Sequence, residues 1–424
     1  MREILKTVLS AGKKVAAPPG SYNTPLGIAK FVRGLKGDEE ALIFEMGEYY
    51  KGDIKRLCNL TQPDIGVITG VNEAHLEKFK DIERTRATIF ELADYLASSV
   101  VSASLSVIPA TEQQRSSRRL SGIQGLLYIN GENELARKSA TGIPLNKEGA
   151  DCVPPKPLAK GASAMRGLLS PLPKGATHSD VRGVVFYSRS GAGNWKVERA
   201  QTSLAGTSFT LQSGTESISV RSHLLGLHQV GSLTAAAHIA SKLGLTAEQI
   251  EKGIDATKPF EHRLEPKTDA QGVTTLDDSY NGNPDGVRVV IEFLSSLSRE
   301  VSESPRTEGV SPLARGVSPS SATRGVSQRR GRCWYVTPGL VEMGPKKEEI
   351  HKEIGRHLAR AGIEKMVLVR NSVTPFIFAG LQEEKYGGEV LWFEKALDAF
   401  AALPNLTVKG DIVLLQNDWP DQYV

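Results

Sequence analysis

Two residues stand where chemistry is done in a parallel sheet. Glu45 follows the apolar run Ala41 to Phe44, and His75 follows the β-branched run Ile65 to Thr69 by a few residues. A hard carboxylate and an imidazole converging beyond the carboxyl ends of strands suit a divalent metal that holds nucleotide phosphates. The stretch from Ala41 to Leu92 reads as strand, loop, helix, strand, loop, helix. That order calls for a parallel sheet with crossover helices, and it places both side chains in one crevice.

The elements that must carry this crevice extend in both directions. Ile4, Leu5, Val8 and Leu9 fall on one face of a helix from Met1 to Ala11, stopped at Gly12. A short strand is expected over Lys14 to Ala17, then a Pro- and Gly-containing loop to Pro25 and another helix. A chain of 424 residues has room for two or three cores. Its 40% hydrophobic and 24% charged content is that of an ordinary globular protein rather than a disordered or membrane chain. The net charge of +4 is concentrated in low-complexity tracts, so nucleic-acid binding is not expected. Cys58, Cys152 and Cys333 lack CxxC spacing, which argues against a disulfide framework or zinc site and for a reducing cytoplasm. No apolar run approaches the roughly 18 residues of a membrane span, and the opening segment reads as an amphipathic helix, not a signal peptide.

Several short matches, in order, resemble the central domain of the Mur ligase family. They are Glu45-Met46-Gly47, Gly52-Asp53-Ile54, Pro63-Asp64-Ile65-Gly66, Ile68-Thr69-Gly70 and Ala74-His75-Leu76-Glu77-Lys78-Phe79. The nearest branch is the one that adds D-alanyl-D-alanine to a UDP-muramoyl tripeptide. The resemblance implies an α/β fold: a central ATP-binding domain over 1–256 and a C-terminal Rossmann-like domain over 257–424. It implies ATP and Mg2+ as cofactors, UDP-MurNAc-peptide and D-Ala-D-Ala as substrates, a cytoplasmic monomer, no nucleic acid and no membrane. Taken singly, Glu45 is a strand-end carboxylate in solvent and His75 a helix-start histidine; in this register the pair reads as the metal site. Asn23, Thr24 and Gly27 fall where the family has an Asn-Thr-x-x-Gly run, which implies substrate contacts for Asn23 and Thr24; for Asn23 a simple turn or helix cap is the other reading. Asn130 falls in the family's Asn-x-Asp turn. Gln229 and Ser232 replace the two asparagines of a Gly-x-His-Asn-x-x-Asn pattern that holds adenine.

The second signature is Asp277-Asp278-Ser279-Tyr280-Asn281-Gly282-Asn283-Pro284, preceded by Glu261-His262-Arg263. By resemblance, Arg263 reaches nucleotide phosphates, Asp278 the ribose, and Asn281 and Asn283 the substrates. The chemistry agrees, since a guanidinium forks onto phosphate oxygens and a carboxylate accepts from hydroxyls. The plain alternative is a polar strand-to-helix turn with asparagine caps. Beyond it a βα series is expected: strands at Trp334 to Thr337, Lys365 to Val369, Glu389 to Phe393 and Asp411 to Leu415, with helices at Lys347 to Ala361 and Thr374 to Leu381.

The sequence also departs from the family. No Gly-x4-Gly-Lys-Ser/Thr phosphate loop occurs in the 424 residues, and the chain begins where that loop is expected to end. The expectation is a ligase that has lost its front portion or whose reading frame starts late. Ile89 stands where the family has a carbamylated lysine for a second metal ion. Gln416-Asn417-Asp418 replaces a Lys-Gly-Ser-Arg-like turn. Residues from 97 onward read as Ser/Arg-rich and poorly periodic. Pro157-Leu158-Ala159-Lys160-Gly161 recurs at Pro171 to Gly175 and Pro312 to Gly316, and Gly-Val-Ser recurs at Gly309, Gly316 and Gly325. Such tracts bury too little apolar surface to fold, so disordered insertions are expected at about 140–182 and 300–332. An RNA-binding arm built on Arg329, Arg330 and Arg332 is the minor alternative. For the whole chain, the alternatives to the dipeptide ligase are a cyanophycin- or folate-type ligase and a non-catalytic remnant that binds nucleotide or a partner.

Overall fold

Ile4, Leu5, Val8 and Leu9 all lie buried along helix α1 (Arg2–Leu9). This computed structural model describes residues 1–20, 22–47, 50–73, 76–105, 125–140, 183–280, 282–303 and 331–416. The described residues form two compact units, Met1–Lys258 and Pro259–Val424.

In the first unit, β1 (Val15–Ala16) pairs in parallel with β2 (Ala41–Leu42) as a sheet of its own. A second sheet runs in the order β3 (Ile65–Ile68), β4 (Leu126–Asn130), β5 (Gly183–Ser188), β6 (Gly191–Ala192), β7 (Trp195–Ser203), β8 (Gly206–Ser213), β9 (Glu216–Ser222). Strands β3 to β5 are parallel, and the rest form an antiparallel meander. The sequences explain the change. Leu127, Tyr128 and Ile129 form a continuous buried run, as a strand covered on both faces requires. In β8 buried Thr207, Phe209 and Leu211 alternate with less buried neighbours, as a half-covered strand requires. The strand carrying Glu45 and the strand leading to His75 therefore belong to different sheets, not to the single one expected. They still share a core. Phe44 and Met46, just beyond β2, pack against the cluster that contains Ile68 and Val71 together with Leu57, Cys58 and Leu96 from the helices.

The helices of this unit are α2 (Pro25–Val32), α3 (Asp53–Thr61), α4 (Leu76–Phe79), α5 (Ile82–Ile89), α6 (Glu91–Leu105), α7 (Glu134–Ala140), α8 (His228–Lys242) and α9 (Ala247–Asp255). Helix α6 carries regular structure through Leu105, beyond the point where the sequence reads as aperiodic; its alanines and leucines bury Leu92, Ala93 and Leu96. Helix α8 starts at His228 and is almost wholly buried from Val230 to Ala240. Helix α9 is capped by a reciprocal box between Thr246 and Gln249. It meets α1 closely, because a Cβ at Gly253 would lie 2.6 Å from the Val8 carbonyl oxygen.

The second unit is one sheet in the order β10 (Glu265–Thr268), β11 (Thr274–Asp278), β15 (Ile412–Gln416), β12 (Cys333–Thr337), β13 (Lys365–Val369), β14 (Glu389–Phe393). Only β10 runs antiparallel. Its helices are α10 (Pro284–Glu303), α11 (Lys347–Arg360), α12 (Thr374–Glu383) and α13 (Ala396–Leu406). The sequence reading did not name β10 or α13; the first is mostly polar, and Pro404 interrupts the second. Helices α11 and α12 cross through glycines, since a Cβ at Gly380 would fall 2.0 Å from the Lys352 carbonyl oxygen.

The expected insertions at about 140–182 and 300–332 fall largely outside the described residues, with corrections at the edges of the second. Helix α10 continues to Glu303. Arg332 is not part of a free basic arm: its guanidinium and backbone N–H both donate to buried Asp411, and it lies over the Trp334 ring. Among the described residues, no helix is long and apolar enough to cross a membrane.

Candidate active site

In the first unit, the carboxyl ends of β1 and β2 bring Glu45 and Asn23 into one neighbourhood. Glu45 is half exposed and pairs with the Arg2 guanidinium at 3.3 Å, while Arg2 also donates to the Gly20 carbonyl oxygen at 2.7 Å. The Asn23 carbonyl oxygen accepts from the Gly47 N–H at 3.1 Å. The Asn23 side chain lies so close that a Cβ at Gly47 would sit 2.8 Å from its Nδ2, so a larger residue at 47 would push the Asn23 amide aside. Thr24 takes the plain reading: its hydroxyl caps α2 by accepting from the Gly27 N–H. His75 lies outside the described residues, and so does Asn281. Among the described residues no cluster of three metal-ligating side chains occurs. Glu45 offers a half-exposed, hard oxygen donor of the kind a divalent ion beside phosphate uses.

Ile89 is partly buried and packs against the core around Leu57 and Leu96. Glu91, two positions on, has a role that sequence reading missed. Its carboxylate accepts from the Gly52 and Lys55 N–H groups at 2.7 and 3.0 Å and so caps α3, which has no side-chain cap of its own. No local pattern announces a cap supplied from 39 residues away.

At the ends of β3, β4 and β5, Asn130 donates to the Thr69 carbonyl oxygen and accepts from the Glu132 N–H. Glu132 in turn holds Arg189 through its backbone N–H and its guanidinium. Asn133, which sequence reading passed over, exchanges hydrogen bonds with both backbone groups of Val71 and caps α7. It thereby fixes the loop that leads towards His75. Gly231 rests against the Ser188 backbone, so Ser232, in the next position of α8, belongs to the same end of the sheet as Arg189. His228 is pushed down to about 4 by burial and by the Arg189 charge, and its Nδ1 is buried without a partner. Its Nε2 lies 3.0 Å from Gln229 Nε2.

In the second unit, the end of β11 meets the segment ahead of β10. His262 and Leu264 both adopt left-handed backbone, with φ of 58° and 51°, and the exposed Arg263 between them lies 5.2 Å from the Tyr280 ring centroid. His262 Nδ1 bonds Asp277 Oδ2 at 2.8 Å, and the Ser279 hydroxyl donates to Asp277 Oδ1 at 2.6 Å. Serine and aspartate thus both face the same ring nitrogen, which is not the relay of a nucleophilic triad. Asp278 accepts from Gln416 Nε2 at 2.9 Å. Burial raises its carboxyl above the usual range, against the opposing pull of the Gln416 amide, Arg263 and the Leu264 N–H. Asn283 takes the plain reading: it caps α10 by accepting from the Gly286 N–H at 2.9 Å, with Pro284 in the first turn.

Comparison with known proteins fits this geometry. Residues 1–150 match the Mur ligase middle domain. The chain is 25% identical to the UDP-N-acetylmuramoyl-tripeptide–D-alanyl-D-alanine ligase of Mycobacterium tuberculosis, over 98% of the chain and 67% of the relative. It is 25% identical to the enzyme of the same name from Mycobacterium bovis, over 87% of the chain and 55% of that relative. The chain thus spans between half and two thirds of the length of these relatives. Crystal structures of MurF from Acinetobacter baumannii and of MurF ligase from Thermotoga maritima in complex with ADP superpose with TM-scores of 0.66, at 17% and 18% identity. Each alignment covers 98% of the chain, and 70% and 73% of the respective structure. The fold is that of these ligases.

Proposed function

We propose that this chain, which resembles the Mur ligases along nearly its whole length, is an ATP-dependent amide ligase of peptidoglycan precursor synthesis, acting in the cytoplasm. The observation that carries the reading is the similarity across both units to enzymes named for joining D-alanyl-D-alanine to a UDP-MurNAc-tripeptide. In that reaction ATP phosphorylates the terminal carboxylate of the tripeptide. The dipeptide amine then attacks the acyl phosphate carbonyl, and inorganic phosphate leaves.

Such catalysis rests on positioning and on offsetting phosphoryl charge. Arg263, exposed and set against Tyr280, would fork onto phosphate oxygens. Asp278 would accept from ribose hydroxyls, and Asn130 and Ser232 would flank the base. Glu45 and His75 would hold Mg2+, which when bound supplies positive charge beside the phosphates. Asn23 and Asn281 would face the substrates, whereas the side chains of Thr24 and Asn283 act as helix caps.

A second reading, a non-catalytic nucleotide binder, is favoured by one observation. Ile89 packs against the core where the resemblance expects a carbamylated lysine, and its side chain carries no group for a metal ion. Calorimetric titration with ATP and Mg2+ tests what the two readings share. Saturable binding that Asp278→Asn weakens about tenfold, the worth of one hydrogen bond to a charged group, is expected. The absence of binding, or binding indifferent to that substitution, would contradict the site.

A further inference from the structure

Gln416 entered the sequence reading only as a departure, yet its polar side chain is enclosed beside the second-unit site, 1% exposed at the end of β15. Strand β15 lies between β11 and β12, with Asp278 opposite Gln416 and Tyr335 opposite Leu414. Gln416 and Leu414 project to the same face, so both neighbouring strands reach the amide. The buried Tyr335 hydroxyl donates to Gln416 Oε1 at 2.8 Å, and Gln416 Nε2 donates to Asp278 Oδ2 at 2.9 Å. The tyrosine fixes the orientation of the amide: with Oε1 occupied by a donor, Nε2 must face the carboxylate.

We propose that Gln416 is a positioning residue: held by Tyr335, its amide fixes the Asp278 carboxylate for the vicinal hydroxyls of a nucleotide ribose. The inference rests on the nucleotide reading above and names the group that prepares the ribose contact. Asp278 is faced by Gln416 from β15, Tyr335 from β12, Asp277 on its own strand, and Arg263 and the Leu264 N–H from the segment before β10. Against burial, the Gln416 amide is the largest influence favouring the ionised, acceptor form. An amide donor offsets the desolvation of this carboxylate without adding a charge to the sheet.

The test compares titrations of ADP and 2′,3′-dideoxy-ADP into the full chain for wild type, Gln416→Leu, Gln416→Lys and Asp278→Asn. Wild type should prefer ADP. Gln416→Leu should weaken ADP about tenfold and bring the ratio between the nucleotides down to that of Asp278→Asn. Gln416→Lys, which keeps a donor, should retain the preference. A Gln416→Leu protein with the wild-type ratio overturns the proposal. A carbon-13 titration of the Asp278 carboxyl needs no ligand. Its midpoint should rise by about one unit in Gln416→Leu, and an unmoved midpoint also overturns the proposal. If wild type binds neither nucleotide, the ribose assignment itself falls, and the carboxyl titration alone judges the Gln416–Asp278 pair.

Discussion

On the proposed nucleotide reading, Asp278 sets stability against function at a single residue. Its carboxyl is raised by burial, so the folded chain holds the proton more tightly than the unfolded one. The linked stability is fully present below the usual carboxylate range, near pH 4, and is lost as pH rises through the raised folded value. Once ionised, this carboxylate is a partly buried anion whose desolvation the Gln416 amide opposes. Asp278→Asn should therefore raise the melting temperature of the second unit at pH 7 and lose that advantage at pH 4, while nucleotide binding weakens. Melting curves at the two pH values check this; a variant less stable at pH 7 than wild type would contradict it. A site residue that costs the fold stability is what a preorganised ligand contact produces.

Between elements, caps and clamps supplied from a distance hold the site-bearing loops. Glu91 at the start of α6 ties down the first turn of α3, just after the Glu45 loop. Glu91→Ala should lower stability by about 1–2 kcal/mol, read from urea unfolding; an unchanged midpoint would show that water replaces the carboxylate there. The elements themselves were largely legible in sequence. Strands Lys365–Val369 and Glu389–Phe393 fall where their apolar runs begin and end, and α1 buries the four residues its periodicity selects. Sheet membership was not legible. Nothing in Ala41 to Phe44 says that β2 pairs with β1 but not with β3, because pairing depends on which edges meet rather than on composition. Helix caps competed with site roles for the same residue types, and Thr24 and Asn283 went to the helices. Gln416 and Asn133 were illegible for a related reason: their importance lies in partners 138 and 62 residues away.

At the scale of the whole molecule, each unit has its own core, and the second is closed where the chain enters its central strands. Asp411, fully buried ahead of β15, accepts from four donors: the Arg332 N–H and guanidinium, the Trp334 indole and the Val408 N–H. Removing the acceptor leaves those donors facing each other. Asp411→Ala should cost the second unit about 3 kcal/mol and leave the first unit's transition in place, as differential scanning calorimetry would show. A single transition shifted as a whole would contradict the independence of the two cores.

The ligase reading is tested most directly by turnover. Radiolabelled D-alanyl-D-alanine is incubated with the chain, ATP, Mg2+ and UDP-MurNAc-tripeptide, and incorporation into the nucleotide precursor is counted. The account predicts ATP-dependent incorporation that Glu45→Ala and Asp278→Asn each abolish or reduce at least tenfold. No incorporation by the wild-type chain, with ADP still bound, would contradict catalysis and leave the nucleotide-binding reading in its place.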